Sequence, residues 1–281
     1  MDPKGKIVVI TGATSGLGQS FAVDIAKAGA RVFVVGRDGD RAKETLAQIH
    51  GKGGSGEIVI GDVSTRAGVE SVAFAILAKT KTIDVLVNNA GGTFKTESKT
   101  ADGIETTFAV NTLGAFMLER ALHGALVAAK GRVVNLATGF LNSFSVDPDD
   151  LVAPKKFSSL KQYGAAKHAS VMMSVEQAKR YGPEGVTVTS LHPGVIMGTR
   201  FGGGQPKLVQ ALVGPVMRAV GFACTLEEAT RRFRVACFDD LPSGSYLVNG
   251  KVAALPKQSN DPAVRERVVA VLEKLAAPAR A

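Results

Sequence analysis

The chain has no tryptophan, two cysteines, four histidines and few aromatic residues of any kind, 6% of its 281 positions. The two thiols, Cys224 and Cys237, lie on what reads as one helical stretch and form no metal-ligand pattern. So few cysteines in a chain of this length suggest a reducing compartment. No uncharged apolar run approaches the length needed to cross a bilayer, and no charged segment followed by an apolar one opens the chain. The expectation is a cytoplasmic protein without an integral membrane segment. Basic residues outnumber acidic ones, 34 to 25, for a net charge of +9. They are scattered singly apart from Lys155-Lys156 and Arg231-Arg232-Phe233-Arg234, with no basic strip interleaved with aromatics. That argues against nucleic acid as a partner. Attraction of small anions is the expected consequence of the charge.

What is present is glycine, 32 residues of it, and a hydrophobic fraction of 45%. Short apolar runs recur at 6–10, 31–35, 57–60, 84–87, 132–136, 186–191 and 245–248, with helical periodicity between them. Runs that are apolar throughout suit strands covered on both faces. Strands separated by helices call for right-handed crossovers and a parallel sheet. The chain reads as one α/β domain over 1–281, a doubly wound Rossmann fold with a sheet of about seven strands. Two segments break the alternation. Residues 139–159 form a long loop rich in Ser, Asp, Pro and Lys, and 202–240 read as a helical insertion before the last strand. The apolar part of that insertion, 208–224, has two readings: a helix pair covering the core, or a lid walling a substrate pocket.

Thr11-Gly12-Ala13-Thr14-Ser15-Gly16-Leu17-Gly18 follows the first run directly. Glycines 12, 16 and 18 stand where a strand turns into a helix, so backbone amides and the helix dipole face an anion such as a pyrophosphate. The second run ends in Gly36-Arg37-Asp38. An acid commonly holds the ribose 2′-hydroxyl of NAD here, whereas arginine suits the 2′-phosphate of NADP. With Gly36 in the acid's position and Arg37 next, the expected cofactor is NADP(H). Asp62-Val63 follows the third run, where the acid has two readings, as acceptor for an adenine amino group or as a helix cap.

The fourth run ends in Asn88-Asn89-Ala90-Gly91-Gly92, and a later helical pattern opens with Tyr163-Gly164-Ala165-Ala166-Lys167. Residues four apart share a helix face, so the phenol and the ammonium can point into one site. A fixed cation there favours the phenolate, and the expectation is that Lys167 lowers the pKa of Tyr163. The result would be a proton donor and acceptor usable near neutral pH.

Together with Asn111 and His192-Pro193-Gly194, these motifs resemble, in order and spacing, the short-chain dehydrogenase/reductase family over nearly the whole chain. The long gap before Tyr163 and the Thr225–Lys251 region look like the retinol-dehydrogenase and protochlorophyllide-reductase branch. The resemblance implies that Thr11, Gly12, Ser15, Gly16, Leu17, Gly18, Arg37, Asp62 and Val63 hold the nucleotide half of the cofactor. It adds Asn89, Ala90, Gly91 and Tyr163 to the cofactor site, gives Lys167 the nicotinamide ribose and lines the nicotinamide with Pro193, Gly194 and Val195. The family's carboxamide-holding threonine falls five residues after the proline; here Gly198 stands there and Thr199 follows. Tyr163 becomes the general acid, Lys167 its electrostatic partner and Asn111 the anchor of a relay water. The family serine at the end of the fifth strand is replaced by Thr138, which has the same hydroxyl chemistry; Ser143 and Ser145 are alternatives on the adjoining loop. The expected activity is hydride transfer between NADP(H) and a carbonyl or alcohol of a lipophilic small molecule. Reduction of an activated C=C bond and a cofactor-binding regulator without turnover are the rival readings. Family habit adds a homodimer or tetramer.

Overall fold

The computed structural model describes residues 1–196 and 223–277. Strands Ile7–Thr11 (β1), Arg31–Gly36 (β2), Ser55–Ile60 (β3), Val85–Asn88 (β4), Arg132–Leu136 (β5) and Thr187–His192 (β6) carry the runs anticipated from the sequence. Val195–Ile196 (β7) and Ala223–Cys224 (β8) pair in a separate two-stranded ribbon. Tyr246–Val248 (β9) and Lys251–Ala253 (β10) complete the main sheet, whose order is β10-β9-β6-β5-β4-β1-β2-β3. Seven strands are parallel and β10 is an antiparallel edge joined to β9 by a hairpin. The sequence reading lacked β10, which is short and has no apolar run.

The pleat divides each buried strand between two layers. Val8, Ile10, Val32 and Val34 face one layer, and Val9, Phe33 and Val35 face the other. The first layer holds Gly16–Lys27 (α1) and Gly39–Gly51 (α2). The second holds Arg66–Leu77 (α3), then Thr106–Phe108 (α4), the π-helical turn Ala109–Leu113, Gly114–Ala121 (α5) and His123–Ala129 (α6). Ser159–Tyr181 (α7) also lies there, and fifteen of its 23 residues are buried, because the sheet covers one side and Pro262–Ala276 another. Leu226–Phe238 (α8) returns to the first layer, with Phe233 5.0 Å from Phe21 between ring centroids; Pro262–Ala276 is α9.

Two expectations change here. Of the helical insertion expected over 202–240, residues 202–222 lie outside the described residues. The part after them is a crossover helix, α8, packed on α1 and the sheet and started by a Thr225–Glu228 capping box. Cys224 and Cys237 do not share a helix: the first is in β8 and the second in α8. Among the described residues, no helix is long and apolar enough to cross a membrane.

Strand order reverses between β1 and β4, and in such sheets the crevice beyond the carboxyl ends of the strands receives ligands. α7 runs beneath that crevice. Its start is fixed by the 139–158 loop: the ring of Phe144 lies so close to Gly164 that a Cβ there would sit 2.2 Å from Phe144 Cγ. His168 adds a 2.6 Å bond from Nδ1 to the Phe144 carbonyl. Alanine is ordinarily the better helix former, yet Gly164→Ala is expected to destabilise the fold by about 1–3 kcal/mol through overpacking. Denaturant unfolding measures this, and pairing the change with Phe144→Ala should recover part of the loss.

Candidate active site

A cleft of about 1450 Å³ runs across the carboxyl ends of the strands. That exceeds the few hundred to a thousand Å³ of a drug-sized pocket and leaves room for a dinucleotide with a second molecule. At one end lies the glycine turn. Gly12 and Gly16 have positive φ, +65 and +55, a region open to glycine without strain. Gly18 packs against the turn itself, since a Cβ there would meet the Gly12 carbonyl oxygen at 2.4 Å. Ser15 caps α1 without a side-chain bond to the helix, and no acidic residue stands in the first turn. These residues fit a pyrophosphate. Thr11 does not line the cleft: it is buried behind it, where its hydroxyl accepts from Ala90 N at 3.0 Å. Asn89 Nδ2 donates to the Thr11 and Gly12 carbonyls at 2.9 and 3.1 Å, so β4 ties the turn in shape. Asn88 points the other way, into a buried cluster with Asn135 and Glu119, whose carboxyl burial pushes up to about 8.

Beyond β2 the cleft is lined by Gly36, Arg37, Asp38, Arg41, Asp62 and Val63. Position 36 is crowded by Thr14: a Cβ there would approach Thr14 Cγ2 to 2.4 Å, so an acid would require the threonine to move. Asp38 is occupied as the cap of α2, accepting from Arg41 N at 3.1 Å and pairing with Arg41 Nε at 3.1 Å. Asp62 accepts from Ser64 N and Oγ through one oxygen and pairs with Arg37 Nη1 at 3.3 Å through the other. Burial works against its charge, but Ser64 and Arg37 outweigh it and hold the carboxyl below its ordinary value. The α3 cap is Thr65, so Asp62 does not cap that helix. Arg41, which sequence reasoning did not single out, brings a second guanidinium to this end.

At the other end Thr138, Tyr163, Lys167, His192, Pro193, Gly194 and Val195 share the lining with Phe94, Ile196, Cys224 and Leu226. Thr138 and the Tyr163 phenol line the same stretch of the cleft, and the threonine side chain acts on the phenol to lower its pKa. Ser143 and Ser145 are exposed and outside the cleft, so the threonine rather than the loop serines meets the tyrosine. Thr199 lies outside the described residues. Burial raises the Tyr163 pKa and the Thr138 side chain only partly offsets it, so the lowering expected from Lys167 is not found. Lys167 is itself the perturbed group. It is 2% exposed, its Nζ donates to the Leu136 carbonyl at 2.6 Å, and burial pushes its pKa down to about 7.

Asn111 stands behind the lining, in the π-helical turn, a distortion often found at functional sites. Its Nδ2 donates to the Thr107 and Gly92 carbonyls at 2.8 Å each, and its Oδ1 accepts from Gly92 N at 3.2 Å. One acceptor position of Oδ1 is left. A Cβ on Gly91 would fall 2.5 Å from that oxygen and 3.3 Å from Lys167 Nζ, so the missing side chain keeps open the space between them. Two residues missed by sequence reasoning hold this arrangement. The buried Glu105 carboxylate caps α4 through Thr107 N and Phe108 N, and accepts from Gln162 Nε2 at 2.9 Å, next to Tyr163.

The description "short chain dehydrogenase" is that of the family model the chain matches over residues 6–204. The chain belongs to the short-chain dehydrogenase/reductase family. It falls in the retinol-dehydrogenase-like branch, and the family is one of nicotinamide-dependent oxidoreductases. DnrU of Streptomyces sp. (strain C5), provisionally named a daunorubicin C-13 ketoreductase, is 35% identical over 92% of this chain and 88% of its own length. Retinol dehydrogenase 12 of Mus musculus is 36% identical over 69% of the chain, which spans only 62% of that enzyme. A solved structure from Beutenbergia cavernae, provisionally named an NAD(P)-dependent gluconate 5-dehydrogenase and carrying NADP at low occupancy, is 28% identical. It matches with a TM-score of 0.67 over 88% of this chain and 95% of its own.

The unfolded chain holds the Lys167 proton up to about 10.5, the folded chain only to about 7. Between those values the unfolded state binds more protons, so this group's cost to stability falls as pH rises. Lys167→Met removes the dependence. Its gain in Tm over the wild type should be largest below pH 7 and shrink toward pH 10, as differential scanning fluorimetry across that range would register.

Proposed function

We propose that the chain is an NADP(H)-dependent oxidoreductase that reduces a lipophilic ketone or aldehyde, or oxidises the corresponding alcohol. One observation carries the reading. Tyr163, beside Thr138 and one helical turn from Lys167, lines the same cleft as the glycine turn and the Arg37–Arg41 pair. Bound NADP(H) supplies or receives the hydride. Gly12, Ser15, Gly16, Leu17 and Gly18 would hold its pyrophosphate, and Pro193, Gly194 and Val195 its nicotinamide. The absence of an acid at 36, where Thr14 crowds the backbone, and the two guanidiniums beside it favour a 2′-phosphate over a free ribose hydroxyl.

Tyr163 remains a protonated phenol at neutral pH, since burial holds it above its ordinary value, and it donates that proton to the carbonyl oxygen. The Thr138 hydroxyl bonds the same oxygen as negative charge develops on it. The Lys167 ammonium stabilises the phenolate left behind. Through the space over Gly91, a water between Lys167 Nζ and the remaining acceptor of Asn111 Oδ1 returns the proton. The apolar wall of Phe94, Ile196 and Leu226 suits a lipophilic substrate. The relatives' names, a ketoreductase and a retinol dehydrogenase, point to the same carbonyl–alcohol pair.

The test is NADPH oxidation over a panel of lipophilic ketones and aldehydes. Tyr163→Phe should lower kcat by about 10²–10⁴, and Thr138→Ala by about 10²–10³. Equal rates in the wild type and Tyr163→Phe would remove the tyrosine as the acid. Tight NADPH binding with no turnover across the panel would replace the enzyme by a nucleotide-binding regulator. On the same assay, Arg37→Ala should raise the KM for NADPH about tenfold or more, the loss of a charged hydrogen bond. The KM for NADH should scarcely move.

A further inference from the structure

Three pieces of chain that fold separately meet behind the Pro193–Val195 wall, and one side chain joins them. Arg232, on α8, donates from Nη1 to the Pro193 carbonyl at 2.6 Å and to Asn249 Oδ1 at 2.9 Å. Asn249 and Gly250, with φ +54 and +80, are the two central residues of the β9–β10 hairpin. Positive φ at both positions is the signature of a type I′ turn. Asn249 N donates to the His192 carbonyl at 2.9 Å, so the hairpin also grips the last residue of β6. The stem of Arg232 crosses the turn so closely that a Cβ on Gly250 would lie 3.1 Å from Arg232 Cγ.

Gly194 is the residue this arrangement confines. Its φ is +104, and a Cβ there would come within 2.4 Å of Arg232 Nη1 and 2.7 Å of Cys224 Sγ. Cys224 closes the group by donating to the same Pro193 carbonyl at 3.4 Å. Gly194 and Cys224 line the cleft, whereas Arg232 and Asn249 stand behind it. The backbone that faces the cleft here belongs to no regular element between His192 and Val195. Its position therefore depends on what holds the Pro193 carbonyl from behind.

We propose that Arg232 is a positioning residue that sets the Pro193–Gly194–Val195 wall against the nicotinamide half of the cofactor, acting through the Pro193 carbonyl and Asn249. This rests on the NADP(H) reading above. A guanidinium suits the task because its rigid fork serves two acceptors at fixed angles, whereas the rotating ammonium of lysine does not fix that geometry. The nucleotide end is held by β2 and α2, on the opposite side of the β1–β4 reversal. Loss of Arg232 should thus affect one half of the dinucleotide and spare the other.

Calorimetric titration with NADPH and with adenosine 2′,5′-bisphosphate, a probe of the nucleotide end alone, separates the two halves. For Arg232→Gln, affinity for the bisphosphate should stay within about twofold of wild type, while NADPH affinity and kcat each fall about tenfold, the scale of one charge-assisted hydrogen bond. The KM for the carbonyl substrate should stay near its wild-type value. Arg232→Lys should recover part of the loss. Asn249→Gly keeps the turn's positive φ and removes only the acceptor. It should show the same split in smaller degree, and it decides the matter if the arginine variants do not fold. Unchanged NADPH affinity and kcat, or equal weakening of both ligands together with a lower Tm, would overturn the proposal alone. A wild type that binds neither ligand would overturn the cofactor reading and this proposal with it.

Discussion

An ammonium group in the interior is the constraint around which the chemical end of this protein is arranged. Lys167 is 2% exposed, and its Nζ bonds the carbonyl at the end of β5. Left without partners such a group is costly, and its pKa drifts toward neutrality. The surroundings answer that cost in kind. Leu136 turns a carbonyl toward it, Gly91 withholds a side chain, and Asn111 keeps an amide oxygen on the far side of the gap. The tyrosine one turn earlier inherits its position from the same helix.

That helix would not hold its position by propensity alone. The bulk of α7 is buried against the sheet, but its first turn carries Tyr163 and depends on contacts from elsewhere. Phe144 lies on Gly164, His168 bonds the Phe144 carbonyl, and Gln162 bonds the Glu105 carboxylate. Glu105 in turn caps the short helix leading into the π-helical turn of Asn111. One buried acid therefore joins the two elements that carry Asn111 and Tyr163. A carboxylate accepting from backbone amides at a helix start is well stabilised, which makes it a sound anchor between separately formed helices.

The scaffold was largely legible because its signals are local. Continuous apolar runs mark strands covered on both faces, and most of the parallel strands announce themselves this way, although β3 lies half-exposed at the sheet edge and β6 alternates apolar with polar residues. The glycine turn and the Tyr163–Lys167 spacing are local too, and they meet in one cleft. What escaped is set by contacts distant in sequence. Asn111 reads as a cleft residue, yet most of its amide is spent holding Gly92. Thr11 stands in the motif but packs behind it. Arg232 sits in an Arg-Arg-Phe-Arg run that reads as surface charge, and nothing in its neighbourhood reveals that α8 turns it toward Pro193. The expected fall of the Tyr163 pKa failed for a related reason. Spacing can bring a cation to the same helix face, but it cannot say how thoroughly both groups are buried.

The two ends of the cleft consequently follow different electrostatics. The Arg37–Asp62 pair is exposed, with side-chain accessibilities of 66% and 38%, and pairs of that kind contribute little and are screened by salt. A stronger anion than this carboxylate could therefore draw Arg37 away at small cost. At the chemical end the groups are buried, their bonds are short, and exchange would leave charges or amides unpaired. The pairs at the β2 end are easily remade, and the buried bonds at the Lys167 end are not. Substitutions around β2 and α2 thus disturb exposed, weakly coupled pairs. Those around β5, α7 and the Pro193 turn disturb buried groups whose partners are not readily replaced.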